Sequence, residues 1–116
     1  MSELLVSADA RTYEGRPYTV LVLAGRLDTA NRAQLREAIV AGAREATGLL
    51  VVDLSQLEHL DGEALYELVR ASHVTRQLGV GLALVSSDPD LTQIVKLSGT
   101  DELIALYGSA EEAAAD

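Results

Sequence analysis

The chain has no cysteine, no phenylalanine and no tryptophan, and only two prolines among its 116 residues. Without cysteine there is no disulfide, no thiolate nucleophile and no cysteine-held zinc, and a reducing compartment suits the chain. Four tyrosines are the whole aromatic complement, which makes a poor surface for stacking bases. Basic residues are few, 9 against 18 acidic ones, and the formal charge of −9 repels phosphate backbones and anionic headgroups. Direct nucleic-acid binding is therefore disfavoured, and a basic protein surface is the natural complement. No apolar run approaches the roughly 18 residues of a membrane span. The opening MSELLVSADA has an acid where a signal peptide carries basic residues. A cytoplasmic protein without membrane insertion is expected.

What is present is aliphatic. Apolar residues make up 48% of the chain, so Leu, Val, Ile and Ala must build the core of one domain spanning 1–116. Three runs, YTVLVLAG at 18–25, LLVVDLS at 49–55 and VGLALVSS at 80–87, place apolar side chains at consecutive positions. Each reads as a strand buried on both faces. A weaker run, LLVSAD at 4–9, is expected to pair with the first through the turn-like YEGRP, giving an antiparallel edge hairpin.

Helical spacing lies between these runs: Leu35, Ala38, Ile39, Gly42 and Ala43; Leu65, Leu68, Val69 and Ser72; and Leu91, Ile94, Val95 and Ser98. Asp88 before Pro89 suits a helix start, and Gly48, Gly79 and Gly99 sit where helices should stop. Ser109 and Glu112 have capping-box spacing for a last short helix, and LIALY at 103–107 is short enough to be strand or helix. The order predicts an α/β fold with a mostly parallel sheet of four to five strands, one antiparallel edge strand and about four helices. Ligands of such sheets meet the loops beyond the carboxyl ends of the strands, here GRLDTA at 25–30, SQLEHLDGE at 55–63 and SSDPD at 86–90.

These loops carry little sign of catalysis. Ser55, His59 and Asp61 are the residue types of a nucleophilic triad, but they crowd one short connection and nothing prepares Ser55 for attack. His59, Asp61 and Glu58 do not complete a metal site, because the other histidine, His73, lies several helical turns away. Gly25, Gly79, Gly81 and Gly99 form no phosphate-binding signature. Neither metal nor cofactor is expected. Asp61 and Glu63 in HLDGEALYELV, and Asp28 before Thr29, are adequately explained as carboxylates at helix starts.

Three segments in order extend that reading. VLVLAGRLDTANRAQL, LLVVDLSQLEHLDGEALYEL and LTQIVKLSGTDELIALYGSAEEA resemble the STAS family, the domain of anti-sigma factor antagonists and of sulphate transporter tails. The matching features are Gly25, Leu27 and Asp28; the Asp-Leu-Ser strand followed by Asp61; and Gly99, Leu103 and Tyr107 ahead of the last helix. The resemblance runs from about Tyr18 to Ala114 and implies a STAS fold.

It also implies a function in bacterial signalling and transcription regulation. Bacterial anti-sigma factor antagonists of this family open the second helix with Asp-Ser-Ser-Gly-Leu, and a partner kinase phosphorylates a serine or threonine there. Aligned on Asp61 and Leu65, this chain reads Asp-Gly-Glu-Ala-Leu, placing Gly62 at the first serine and Glu63 at the phosphosite. A carboxylate stays near −1, whereas a hydroxyl switches between neutral and about −1.5 to −2.

The resemblance therefore implies a non-catalytic protein–protein interaction domain that binds an anti-sigma factor or switch kinase. Its expected contact surface is Asp28, Thr29, Asp61, Gly62, Glu63, Leu65 and Tyr66, with Leu65 and Tyr66 as apolar anchors. Thr29 and Ser55, with Ser86 and Ser87, are alternative phosphosites. Two readings of Glu63 stay open, a permanent partial mimic of the phosphorylated state or a loss of phosphoregulation. The second leaves the domain a scaffold or transporter-associated subunit, and a nucleotide- or lipid-sensing module with a pocket at the same edge is the main rival. The sequence does not decide between monomer and homodimer.

Overall fold

The computed structural model describes residues 3–116. Two long strands open the fold, β1 (Leu4–Tyr13) and β2 (Arg16–Leu27), paired antiparallel with Tyr13 opposite Arg16. The two residues between them, Glu14 and Gly15, both have positive φ, 50° and 80°. That is the backbone a two-residue hairpin needs to match strand twist, and the expected YEGRP turn is thus a tight one.

Three crossovers, for which a right-handed path is the rule, follow in sequence. Helix α1 (Arg32–Glu45) leads to β3 (Leu49–Leu60), α2 (Gly62–Gln77) to β4 (Gly81–Val85), and α3 (Pro89–Leu97) to β5 (Ala105–Tyr107), before α4 (Ala110–Ala115). Short 3-10 turns, Thr29–Asn31 and Thr100–Glu102, precede α1 and β5. The sheet order is β1-β2-β3-β4-β5, parallel from β2 onward. The predicted mixed sheet with an antiparallel edge strand is therefore present, with LIALY contributing only Ala105–Tyr107 as strand.

Crossovers of one hand between neighbouring parallel strands leave their helices on one face. The main core accordingly joins Leu35, Ile39, Leu65, Leu68, Leu91 and Val95 of α1–α3 to Leu21, Leu23, Leu50, Val52 and Leu84 of the sheet. The opposite face, with Tyr18, Val20, Val51, Ala83 and Val85, is covered by Ala110 and Ala113 of α4. A helix of six residues cannot cover the whole face, so Val22 and Ala24 stay half-buried and β2 departs from the expectation of burial on both faces. Ile94 and Ser98 of the predicted α3 stripe are exposed, while Leu91 and Val95 face inward.

Two of the expected loops are shorter than the sequence suggests. GRLDTA is strand as far as Leu27, and SQLEHLDGE is strand as far as Leu60, because β2 and β3 stay paired up to Leu27 opposite Leu60. Register shifts between Val22 and Ala24 and between Gly25 and Arg26 mark bulges in β3. Each bulge inserts one residue, which turns the usual two-residue alternation into the three-residue spacing of buried Leu54, Leu57 and Leu60.

Candidate functional site

The carboxyl ends of β2 and β3 deliver the chain to two adjacent helix starts. Asp28 has extended backbone and its side chain accepts from the Ala30 N–H at 3.0 Å. The Asn31 side chain answers by accepting from the Asp28 N–H at 3.0 Å and donating to the Arg26 carbonyl at 2.7 Å. Asp61 repeats the arrangement at α2, its carboxylate accepting from the Ala64 N–H at 2.9 Å. The Asp61 N–H in turn donates to the Leu27 carbonyl at 3.4 Å, which holds the two starts side by side. Both aspartates are caps, as their residue type and position predict.

Glu63 lies between these starts. Its Oε2 accepts from the Thr29 hydroxyl at 2.8 Å and faces Arg32 Nη1 at 3.3 Å. The carboxylate is 60% exposed, so it is held in place yet open to a partner. One helical turn further along both helices the relation recurs, with Arg36 Nε 3.5 Å from Glu67 Oε2. There the carboxylate is only 4% exposed. Thr29, Arg32 and Arg36 on one side thus meet Glu63 and Glu67 on the other along the α1–α2 seam.

Tyr66 is 63% exposed beside this edge, with the Arg70 guanidinium 6.0 Å from its ring centroid, within cation–π range. Leu65 corrects the expected surface. It is 2% exposed and belongs to the main core, because the α2 stripe of Leu65, Leu68 and Ser72 faces the sheet. It cannot anchor a partner, and the apolar part of the surface reduces to Tyr66. Gly62, the first residue of α2, is exposed and has no atom within 4 Å of where a Cβ would stand.

The remaining sequence candidates do not converge. Ser55 and His59 sit four residues apart on extended β3, on the order of 10 Å. The Ser55 hydroxyl accepts from the Ser87 N–H at 2.9 Å, tying the middle of β3 to the segment that follows β4. Ser86 is buried, donating to the Asp88 carbonyl at 3.1 Å and accepting from Thr92 Oγ1 at 3.0 Å. Among the described residues no three His, Cys, Asp or Glu side chains gather as a metal site.

No helix among the described residues is long and apolar enough to cross a membrane. The larger cavity, about 420 Å³, opens at the opposite end of the sheet among Tyr13, Tyr18, Leu49 and Tyr107. A second, of about 270 Å³, lies among Glu3, Leu5, Gly25, Arg26 and Glu58. Neither is lined by Asp28, Thr29, Asp61 or Glu63.

Sequence reasoning missed Arg32, Arg36, Asn31 and Glu67. The glutamate had a signal: Glu67 stands between Leu65 and Leu68, on the inward side of α2, where a carboxylate needs a partner.

Solved structures share this architecture. An anti-sigma factor antagonist from Mycobacterium paratuberculosis superposes with a TM-score of 0.72 at 24% identity, over 97% of this chain and 96% of that one. The anti-sigma factor antagonist SpoIIAA in its unphosphorylated form gives 0.69 at 17% identity, over 94% and 92%. A STAS-domain anti-sigma-factor antagonist protein from Planctomyces limnophilus gives 0.66 at 21% identity, over 99% and 97%. No curated protein matches the chain. The family model of the STAS domain matches residues 7–113, nearly the whole fold just described, and the chain belongs to the STAS domain family.

Proposed function

We propose that this chain is a non-catalytic interaction domain of the anti-sigma factor antagonist type, whose partner is an anti-sigma factor or switch kinase. The partner surface is the edge formed by Asp28, Thr29, Asp61, Gly62, Glu63 and Tyr66. One observation carries the reading: the Glu63 carboxylate is exposed, yet fixed by Thr29 and Arg32 where two capped helix starts meet. A charge held in one place is a recognition element, since a partner need not order it on binding.

The geometry around Glu63 supports one reading of this carboxylate over the other. A phosphoryl group brings about −1.5 to −2 of charge and three acceptor oxygens. Glu63 brings one carboxylate, and Arg32 offsets part of its charge. As a mimic of the phosphorylated state it is incomplete, so the domain binds its partner constitutively with an affinity that phosphorylation at this position does not adjust. Structural neighbours include SpoIIAA in an unphosphorylated and in a phosphorylated form, and a carboxylate at Glu63 leaves no hydroxyl there to phosphorylate.

Affinity capture with the native domain and with Glu63→Ser, followed by incubation with any kinase recovered, tests this. The expected result is capture of an anti-sigma factor or switch kinase by both, with phosphate incorporated only into Glu63→Ser. A recovered partner that binds equally well after Asp28→Lys and Tyr66→Ala would place recognition elsewhere.

A further inference from the structure

Strand β1 ends the sheet, and on its outer side no strand follows among the described residues. Residues 7–12 are all exposed. The Glu3 carbonyl accepts from the Arg26 N–H of the neighbouring strand at 2.9 Å. Because backbone groups alternate in direction along an antiparallel strand, Leu5, Ser7, Asp9, Arg11 and Tyr13 also face β2. Val6, Ala8, Ala10 and Thr12 therefore point their N–H and carbonyl groups outward. The Gln34 side chain donates to the Leu4 carbonyl at 2.9 Å, so that end of the strand is already satisfied. What remains open is the Ala8–Thr12 stretch.

An open edge of this kind is usually protected by charge of one sign, which repels a copy of itself. Here the charges are Asp9 and Arg11, of opposite sign, two residues apart and on the same face, 2.8 Å from one another. Their spacing makes the edge self-complementary. If a second copy lies antiparallel with Ala10 opposite Ala10, the outward groups of the two alanines form a hydrogen-bonded pair. Asp9 of each copy then stands opposite Arg11 of the other in the close, non-hydrogen-bonded positions. Centring the pairing on Ala8 instead would set Arg11 against Leu5 and Asp9 against Ser7, so the charges select the register.

We propose that β1 is the docking edge for a second copy of this chain, in a two-fold antiparallel pairing centred on Ala10 that joins the two sheets into one. The two intrachain Asp9–Arg11 pairs become a quartet of alternating charge. Ala8 and Ala10 are small, so no bulky side chain obstructs the approach on the α1 face. The paired stretch lies opposite Thr19 and Val20 in the first half of β2, and Glu63 lies beyond its other end. The dimer therefore leaves the proposed partner surface free, and the two proposals stand or fall separately.

Sedimentation velocity from about 5 to about 500 µM, at roughly 0.15 M salt so that the −9 charge of each copy is largely screened, tests the pairing. A monomer–dimer equilibrium is expected within this range. Asp9→Arg alone and Arg11→Asp alone each set like charges opposite one another and should raise the dissociation constant about tenfold or more. Combined, Asp9→Arg and Arg11→Asp restore opposite charges and should restore it. Ala10→Pro removes an N–H that points away from β2 and should abolish the dimer while leaving far-UV circular dichroism unchanged. A wild-type chain monomeric throughout, or a combined reversal no better than the single ones, would overturn the pairing. Should Ala10→Pro unfold the domain, the three charge variants, all at exposed positions, still decide.

Discussion

Thr29 and Glu63, 34 positions apart in the chain, are joined by a hydrogen bond of 2.8 Å that ties the start of the α1 segment to the start of α2. Neither residue type is unusual at a helix start, and each alone is accounted for by local propensity. Their contact exists because β2 and β3 end level with one another, Leu27 opposite Leu60, so both helices begin at the same height. The bond fixes the carboxylate at the centre of the proposed partner surface.

The two ion pairs of the α1–α2 seam should differ in energy because they differ in burial. Arg32→Ala should cost no more than about 0.5 kcal/mol, since both partners are exposed. Arg36→Ala strips the cation from a carboxylate only 4% exposed. The half-exposed guanidinium limits that loss to about 1–2 kcal/mol. Arg36→Ala with Glu67→Leu should recover most of it, as an apolar side chain suits the seam. Urea unfolding of the three variants reads the differences; equal losses for Arg32→Ala and Arg36→Ala would contradict the burial argument.

Asp61 caps α2 through the Ala64 N–H. Asp61→Ala should lower stability by about 1 kcal/mol, and Asp61→Asn by much less, because the amide oxygen still accepts. The denaturation midpoint should fall with an unchanged slope. No loss on Asp61→Ala would mean that the cap is replaced by water.

Gly25 and Gly62 should respond in opposite ways to alanine. Gly25 has φ of 89°, and a Cβ there would stand 2.5 Å from the Glu3 carbonyl oxygen that accepts from Arg26. Gly25→Ala should therefore cost well over 1 kcal/mol, roughly the point at which an alanine forced into positive φ becomes disruptive. Gly62 lacks both constraints, and Gly62→Ala should change stability by no more than about 1 kcal/mol, on the stabilising side. Thermal or urea unfolding of the pair checks the contrast.

At the other end of the sheet, Tyr107 donates to the Asp116 carboxylate. That bond, then partial burial and the carboxylate charge, hold the Tyr107 pKa above the ordinary tyrosine value. A folded-state value raised above the unfolded one means that the contribution to stability is complete below the unfolded pKa, about 10, and is lost as pH rises through the folded value. Difference absorbance titration of wild type against Tyr107→Phe should show a late phenolate transition. Asp116→Asn should bring it earlier; an unmoved transition would show that the carboxylate does not set it.

Much of this fold is legible in the chain because β2, β3 and β4 carry consecutive aliphatics and most helical segments begin at a capping residue. Asp28, Asp61, Asp88 and Ser109 all cap as their spacing suggests. Glu112 instead reaches the Gly108 N–H at 3.4 Å, so the last helix has half of its expected box. The end of β3 was obscured by its bulges, since Leu54, Leu57 and Leu60 follow a three-residue spacing that does not look like a strand. The Leu65 anchor failed where the α2 periodicity already pointed inward. Arg32 and Arg36 left no local signal, because their partners lie 31 positions away and only the packing of α1 on α2 brings them together.

The central claim is that Glu63 occupies a partner-binding edge as a fixed, non-switchable charge. Titrating the recovered partner into the native domain, Glu63→Ser and phosphorylated Glu63→Ser measures this most directly. The account predicts that unmodified Glu63→Ser binds about tenfold or more tightly than native, that phosphorylation takes its affinity below native, and that native lies between. Identical affinities for all three forms would contradict it.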